Sequence, residues 1–446
     1  MANILMVTHW TGGDVMPFIK MGEILKKHGH DVTVFTHCIY EEKAESSHLN
    51  FVAIDNHEEY LGMVRDFPSI TDPIHYLEGT MEFQKKHHGI ERCLREYELI
   101  SKHCQRGNTL ILFRHRSSVS ALLAAEKLRL PAASVFLAPN YISHLDFHEQ
   151  LFGSSMRDEI NKVRKEIGLP DISSWTDWMC LPKRKIGVWP QWFEGEGEKD
   201  PEGLVRIGFL VEDNTFEDEF SADLKKFFKS VKKPVLISGG TSKMINPLFY
   251  QVSVDACKLA NKAAVLVVPF DELVPQNLPR NIVRFKSVPL KKLMSDVCAV
   301  IHHGGIGTAS EAVACGIPQM ILPHMADRPD NAHRLRNLGV AKVFPELRWS
   351  PELLAQGLIE MEEPRFIEDC RKLSEKFHAD KPAGILCDVV DEMARSEDFV
   401  ISPDREGTVF YSKTAETRDD SGDDKNNALT PEKRKMMIEI IKRRMQ

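Results

Sequence analysis

Residues 297–332, VCAVIHHGGIGTASEAVACGIPQMILPHMADRPDNA, constrain the fold more than any other stretch of the chain. The apolar run Val297 to Ile301 reads as a buried parallel strand. Two histidines follow, then Gly304, Gly305 and Gly307, and Thr308 to Cys315 read as a helix stopped by Gly316. A strand, a glycine loop and a helix N-terminus in that order make an anion site, because unpaired N–H groups and the positive end of the helix dipole converge there. The missing side chains let a diphosphate reach the backbone, and His303 can donate a hydrogen bond to the same anion. The same residues also suit a tight turn around a core histidine, and the glycines alone do not separate the two readings.

The N-terminus repeats the theme. Asn3 to Thr8 is a buried central strand, Gly12-Gly13-Asp14-Val15-Met16-Pro17 a turn, Pro17 to His28 an amphipathic helix ended by Gly29, and His30 to Thr36 the next strand. This turn lacks G-x-G-x-x-G, which disfavours a nicotinamide oxidoreductase. The pattern restarts at Pro234, where a strand runs into Gly239-Gly240-Thr241-Ser242, followed by a helix over Phe249 to Asn261 and strands over Ala264 to Val268 and Ile282 to Phe285. Residues 194–203 between the two halves have the composition of a loop.

At 446 residues the chain holds two ordinary domains. A net charge of −7 argues against a nucleic-acid binder. Nine cysteines with no C-x-x-C pair point to reduced thiols and a cytoplasmic setting. No signal peptide is read at the start, and no run of about 18 apolar residues is present to span a bilayer.

His303, Gly305, Thr308, Glu311, Gly316-Ile317-Pro318, Asp327 and Asn331-Ala332 together resemble the donor-nucleotide signature of family-1 glycosyltransferases, which glycosylate sterols, antibiotics and other lipophilic small molecules. The resemblance implies an α/β fold of the GT-B type, two Rossmann-like doubly wound domains facing across a cleft. It places an acceptor-binding domain at 1–205, a linker at 206–232 and a donor-binding domain at 233–398, and it stops there; 399–446 read from composition as a polar tether with a terminal helix. It implies that His303, Gly305, Gly307 and Thr308 hold the diphosphate, with Gly240 and Thr241 as a second clamp. Glu311 would hold the ribose and Asp327 the sugar hydroxyls. Arg328 stands where the family usually has Gln; a guanidinium cannot accept a hydrogen bond but binds a carboxylate bidentately, so the sugar is expected to differ from plain glucose. Phe285 lies where plant members place a base-stacking aromatic, and suits a core position equally well.

Gly13-Asp14-Val15-Met16-Pro17 resembles the acceptor-side loop of sterol-type and glycopeptide-antibiotic members, with Asp14 on the catalytic base. Asp14 also reads as a helix N-cap. Thr8-His9-Trp10 departs from the usual lead-in, leaving the role of His9 open. Members with a catalytic His orient it by an acid after a later strand; here Thr109 to Phe113 runs into Arg114-His115-Arg116, consistent with Asp14 acting directly while these basic residues meet an acidic acceptor or solvent. Residues 40–105 are polar and His-rich, and Phe67, Tyr76, Met81 and Phe83 within them suit either an acceptor pocket or the core.

The resemblance thus implies an inverting, metal-independent transferase with no cofactor. A UDP- or dTDP-sugar is the co-substrate and a lipophilic secondary metabolite the acceptor. Two rivals stay open: a nucleotide-sugar epimerase or hydrolase, and a non-catalytic GT-B scaffold. Residues 429–446 read as a basic amphipathic helix on a disordered tether, suited to a protein partner or an anionic membrane surface.

Overall fold

A computed structural model describes residues 1–70, 77–142, 145, 149, 152, 154–195, 200–211, 220–241 and 245–402. The terminal helix expected at 429–446, Tyr76 and Ser242 lie outside them. The chain forms two compact units. The first takes residues 1–189, 197–207 and 382 onward; the second takes 190–196 and 208–381.

The first unit is built on a seven-stranded sheet: β1 (Asn3–Val7), β2 (Asp31–Thr36), β3 (Asn50–Ala53), β4 (Thr109–Arg114), β5 (Ala132–Phe136), β6 (Arg184–Gly187) and β7 (Leu204–Arg206). Its order is β3-β2-β1-β4-β5-β6-β7, with every pairing parallel. β1 registers Val7 against Phe35 on one side and Phe113 on the other. Strands covered on both faces are apolar throughout, and all five residues of β1 are buried. Leu5, Val7, Phe35, Ile111 and Phe113 form one core with Leu122, Trp175 and Trp178.

The second unit has a six-stranded sheet: β8 (Val235–Ser238), β9 (Ala264–Val267), β10 (Ile282–Phe285), β11 (Ala299–His302), β12 (Gln319–Ile321) and β13 (Ala341–Val343), in the order β10-β9-β8-β11-β12-β13. Its pairings are also all parallel. Alternation along each strand feeds two cores: Val235, Ile237, Ala264 and Leu266 on one face, Leu236, Val265 and Val267 on the other.

Several boundaries differ from expectation. The first helix spans Gly12–Lys27, not Pro17–His28, and Pro17 lies inside it. The Thr11 carbonyl accepts from both Asp14 and Val15, which starts the helix early. The helix after β12 spans Arg328–Asn337, with Asp327 at its N-cap position. Residues 190–196 join the second unit because Trp192 Nε1 bonds Asp380 Oδ2 (3.0 Å) and Phe193 packs against Phe209 and Arg334. Residues 208–211 and the helix Ala222–Ser230 belong to that unit too, so the expected linker at 206–232 is largely its first segment. The helix Pro382–Arg395 returns to the first unit, and Ile401 N bonds Leu130 O at 3.0 Å there. The second unit therefore ends at 381.

Candidate functional site

In each sheet the strand order reverses beside the first strand of the unit, between β1 and β4 and between β8 and β11. Crevices beyond the C-terminal strand ends at such switch points are where open α/β sheets bind ligands. His303, Gly240 and Asp14, singled out in the sequence, follow the strands at these two places.

In the second unit, His303 follows β11 and Gly240 follows the adjacent β8. A Cβ at Gly240 would stand 2.7 Å from His303 Cε1, and one at Gly305 would stand 2.6 Å from His303 Nε2. The imidazole thus lies between two glycine backbones, one from each loop. Gly240 is also in the left-handed region (φ +81), which favours glycine. His303 is buried, the Ser238 backbone carbonyl accepts a hydrogen bond from it, and its Nδ1 has no hydrogen-bond partner. Burial holds its pKa well below the ordinary histidine value, and the nearby charges of Arg328 and His302 act in the same direction. His303 is therefore neutral, and positive charge must come from elsewhere.

The loop is held from beneath. His302 Nδ1 accepts the Gly304 N–H (3.2 Å), which places the His302 proton on Nε2 facing Gln319 Oε1 (3.0 Å). Asn331 Nδ2 bonds both the Gly304 carbonyl (3.1 Å) and Asp327 Oδ2 (2.7 Å). Gly304 (φ +90) packs so closely on the Arg328 backbone that a Cβ would meet the Arg328 carbonyl at 2.9 Å. Asp327 and Arg328 are thereby locked to the glycine loop. His302, Gln319 and Asn331 are supports that the sequence reading did not assign; the paired histidines and the Gln after Gly-Ile-Pro were the available signals.

The helix Ile306–Ala314 begins without a side-chain cap, with Gly305 at its N-cap position. Gly307 is exposed, and a Cβ there would meet nothing within 4 Å. Its first-turn N–H groups suit an anion. Thr308 is half-buried in that turn and Glu311 lies one turn further along. Thr241, beside Gly240, is exposed. Phe285 ends β10 at the far edge of the sheet, half-buried on the core of Val265 and Val267; the core reading describes its contacts.

In the first unit, Asp14 sits in the first turn of the helix Gly12–Lys27, and Thr11, whose side chain makes no capping bond, is the N-cap. The N-cap reading of Asp14 is thus corrected. Its Oδ1 accepts from Arg114 Nε at 3.2 Å. Arg114 ends β4 and is buried, so it is neither solvated nor available to an acidic acceptor. Gly13 is exposed, and a Cβ there would meet only Thr11 Oγ1 at 3.9 Å; Pro17 is half-buried one turn along.

His9 does not face an acceptor. It is buried, with Nδ1 2.9 Å from Ser118 Oγ and Nε2 2.9 Å from Glu96 Oε2. Burial alone would raise the Glu96 carboxyl, but His9 and Arg92 hold it far below the ordinary range, and Ser120 adds a hydrogen bond. Arg92 also reaches Asp55, which accepts from His37 Nδ1 at 2.7 Å, while His37 Nε2 accepts the Trp10 N–H at 2.9 Å. The chain of contacts fixes Trp10 at φ 82, a conformation unfavourable for a bulky residue. Trp10 stacks on Phe83 (5.8 Å, 10° between planes) and on Phe67, so both phenylalanines are core-buried supports of this loop and not open pocket lining. Ser118, His9 and Glu96 have the order of a hydrolytic triad, but Ser118 is fully buried with its hydroxyl on the Val7 carbonyl.

Among the described residues, one cluster has metal-like spacing: His28, His30 and Asp391, with ligand atoms within 4.8 Å of one another. His30 Nδ1 accepts the Ala2 N–H (3.3 Å), leaving its proton on Nε2 toward Asp391 Oδ1 (3.4 Å). Metal-bound histidines donate from the second nitrogen, and this one accepts. No described helix is long and apolar enough to cross a membrane.

Two switch-point sites on two doubly wound sheets define the GT-B architecture, and comparison with known proteins agrees. Residues 4–144 match the glycosyltransferase family 28 N-terminal domain, and residues 259–392 match the C-terminal domain of erythromycin biosynthesis protein CIII-like proteins. The chain thus has a fold of the GT-B type, with a family-28-type N-terminal domain over 4–144 and an EryCIII-like C-terminal domain over 259–392. A sterol 3-beta-glucosyltransferase of Pichia angusta is 25% identical over 94% of this chain, and the match covers 36% of that protein. The O-mycaminosyltylonolide 6-deoxyallosyltransferase of Streptomyces fradiae is 30% identical over 41% of this chain and 43% of its own length. The chain thus spans about a third of the Pichia relative. Among solved structures, the kitacinnamycin glycosyltransferase superposes with a TM-score of 0.70 at 18% identity, covering 88% of this chain and 99% of that one. The glycosyltransferase VinC, solved in complex with dTDP, gives 0.65 at 18%, covering 89% and 99%.

Proposed function

We propose that this protein transfers a sugar from a nucleoside diphosphate sugar to a hydroxyl of a lipophilic small molecule, with inversion at the anomeric carbon and without a metal ion. The observation that carries this reading is the His303 imidazole held between Gly240 and Gly305 beside an uncapped helix N-terminus. The sterol and macrolide relatives support the acceptor class, and the dTDP complex of VinC supports a UDP- or dTDP-linked donor.

In this mechanism Asp14 takes the acceptor proton as the acceptor oxygen attacks the anomeric carbon. The bond from that carbon to the diphosphate breaks, and its electron pair leaves with the diphosphate. His303, the first-turn amides of Ile306–Ala314 and the Arg328 charge stabilise the leaving group. Glu311 and Asp327 hold ribose and sugar hydroxyls. Arg328 favours a sugar bearing an anionic substituent.

The test is a thermal-shift panel of UDP, dTDP and their hexose and uronic-acid conjugates on wild type and His303→Ala. At 100 times Kd a ligand adds about 2.7 kcal/mol, a rise of several degrees for the best nucleotide that the variant should lose. No shift with any nucleotide would overturn the donor site and favour the scaffold. With the best donor and a sterol or macrolide acceptor, Asp14→Asn should cut turnover by about 10²–10⁴-fold while donor affinity stays unchanged, and EDTA should leave turnover intact. Donor conversion with no acceptor present would favour the epimerase or hydrolase.

A further inference from the structure

The β1/β4 switch point holds a half-buried acid and a buried cation. Arg114 is the last residue of β4, its side chain 5% exposed, and the Asp14 carboxylate it contacts is 23% exposed. The guanidinium has little freedom. Its Cζ lies 4.5 Å from the Tyr141 ring centroid, Nη1 reaches the His115 carbonyl at 3.5 Å, and Nε bonds Asp14 Oδ1 at 3.2 Å. A planar fork fixed by an aromatic face and a backbone carbonyl sets the direction of whatever carboxylate it holds. On the other side, the helix backbone is tied to β1 by Thr8 Oγ1 on the Asp14 carbonyl at 3.1 Å. The carboxylate is thus referenced to two adjacent strands while remaining reachable.

We propose that Arg114 is a positioning residue for Asp14, holding the carboxylate in the orientation from which it accepts the acceptor proton. The inference rests on the reading of Asp14 as the base. Arg114 occupies the place, after the fourth strand, where a His-based site needs an acid. A carboxylate base needs no acid there: the group that orients it must donate, and a guanidinium donates without competing for the proton. The charged and titratable groups facing Asp14 are Arg114, Arg116, which stands 5.7 Å over the same Tyr141 ring, and Tyr40 from the segment after β2. Tyr40 is raised far above the ordinary tyrosine range, chiefly by burial, and stays neutral. Removing the Arg114 charge leaves Arg116, among the described residues, as a cation acting on Asp14.

The experiment uses the full chain and the variants Arg114→Met, Arg114→Lys and Asp14→Asn. Turnover is followed as nucleoside diphosphate released from dTDP-glucose or UDP-glucose with cholesterol as acceptor. Separately, the Asp14 carboxyl is titrated by ¹³C NMR without substrate, its signal assigned by its loss in Asp14→Asn. Arg114→Met should lower kcat by about 10²-fold with KM for the sugar nucleotide unchanged, move the acid limb of kcat/KM upward by about one pH unit or more, and shift the NMR titration equally. Arg114→Lys, which keeps the charge without the fork, should restore the titration but only part of kcat. An Asp14 titration identical in wild type and Arg114→Met would overturn the proposal, whatever the turnover. Loss of kcat in Asp14→Asn but not in Arg114→Met would overturn it while sparing the base, whereas full turnover in Asp14→Asn removes the base itself.

Discussion

At the residue scale, the glycines of the donor loop fall into two kinds. Gly240, Gly304 and Gly305 are required by the protein's own packing, since a Cβ at each would strike His303 or Arg328. Gly307 is not, since a Cβ there meets only open space. Gly305→Ala should therefore displace the imidazole and lower the melting temperature by several degrees, a typical overpacking cost of about 1–3 kcal/mol. Gly307→Ala should melt within about a degree of wild type yet bind the nucleotide about tenfold or more weakly, as read by calorimetry, because the methyl stands where the diphosphate approaches the amides. Unchanged affinity in Gly307→Ala would move the diphosphate off that helix end. The glycine pattern was legible in the sequence, but which glycines serve the fold and which leave room for a ligand was not, because that depends on what each absent side chain would touch.

At the element scale, buried ion pairs decide how helices meet. Arg164, on the helix Ser155–Glu166, bonds Glu126 of the helix Val119–Leu128 through both terminal nitrogens, at 2.6 and 2.9 Å. Trp178 Nε1, from the helix Trp175–Met179, adds a third bond to Glu126 at 2.8 Å. Three helices thus converge on one carboxylate with almost no solvent exposure. Glu126→Ala strands a buried guanidinium and should cost about 3–5 kcal/mol in urea unfolding, whereas Glu126→Leu with Arg164→Leu should cost much less. Equal losses in the two variants would contradict this account. The joint dependence of these helices on Glu126 is not legible in the sequence, because charges tens of residues apart carry no mark of who will pair with whom. His9 taught the same lesson: near a glycine turn it resembles a ligand contact, and burial with Glu96 and Ser118 makes it a support.

At the scale of the whole molecule, neutral buried histidines make the fold acid-labile. Burial lowers the pKa of His302 to about 4, and it also lowers His30, His37 and His303. For such a group the unfolded chain takes up a proton near pH 6.5 while the folded chain does not, so stability falls as pH drops from 6.5 toward the folded value. His302 alone contributes about 3 kcal/mol of loss across that window. Glu96, Asp55 and Asp391 are held below their ordinary values, so their stabilisation is lost at still lower pH. Urea unfolding at pH 7.5, 6 and 5 should show a steady decline, and a flat profile would contradict the buried neutral assignments.

The sequence by itself determined the class of fold and the two glycine-rich turns that follow β1 and β11. Parallel strands buried on two faces must be apolar throughout, and a glycine-rich strand-to-helix turn has few other uses, so local pattern carried both. Tertiary structure alone decided the division of the chain, where 190–196 leaves the first unit and 382 onward returns to it, because such choices rest on Trp192 finding Asp380 and Ile401 finding Leu130. It also decided that Asp14 is held by Arg114. Residues 14 and 114 lie far apart in the sequence, and only the adjacency of β1 and β4 makes one the partner of the other.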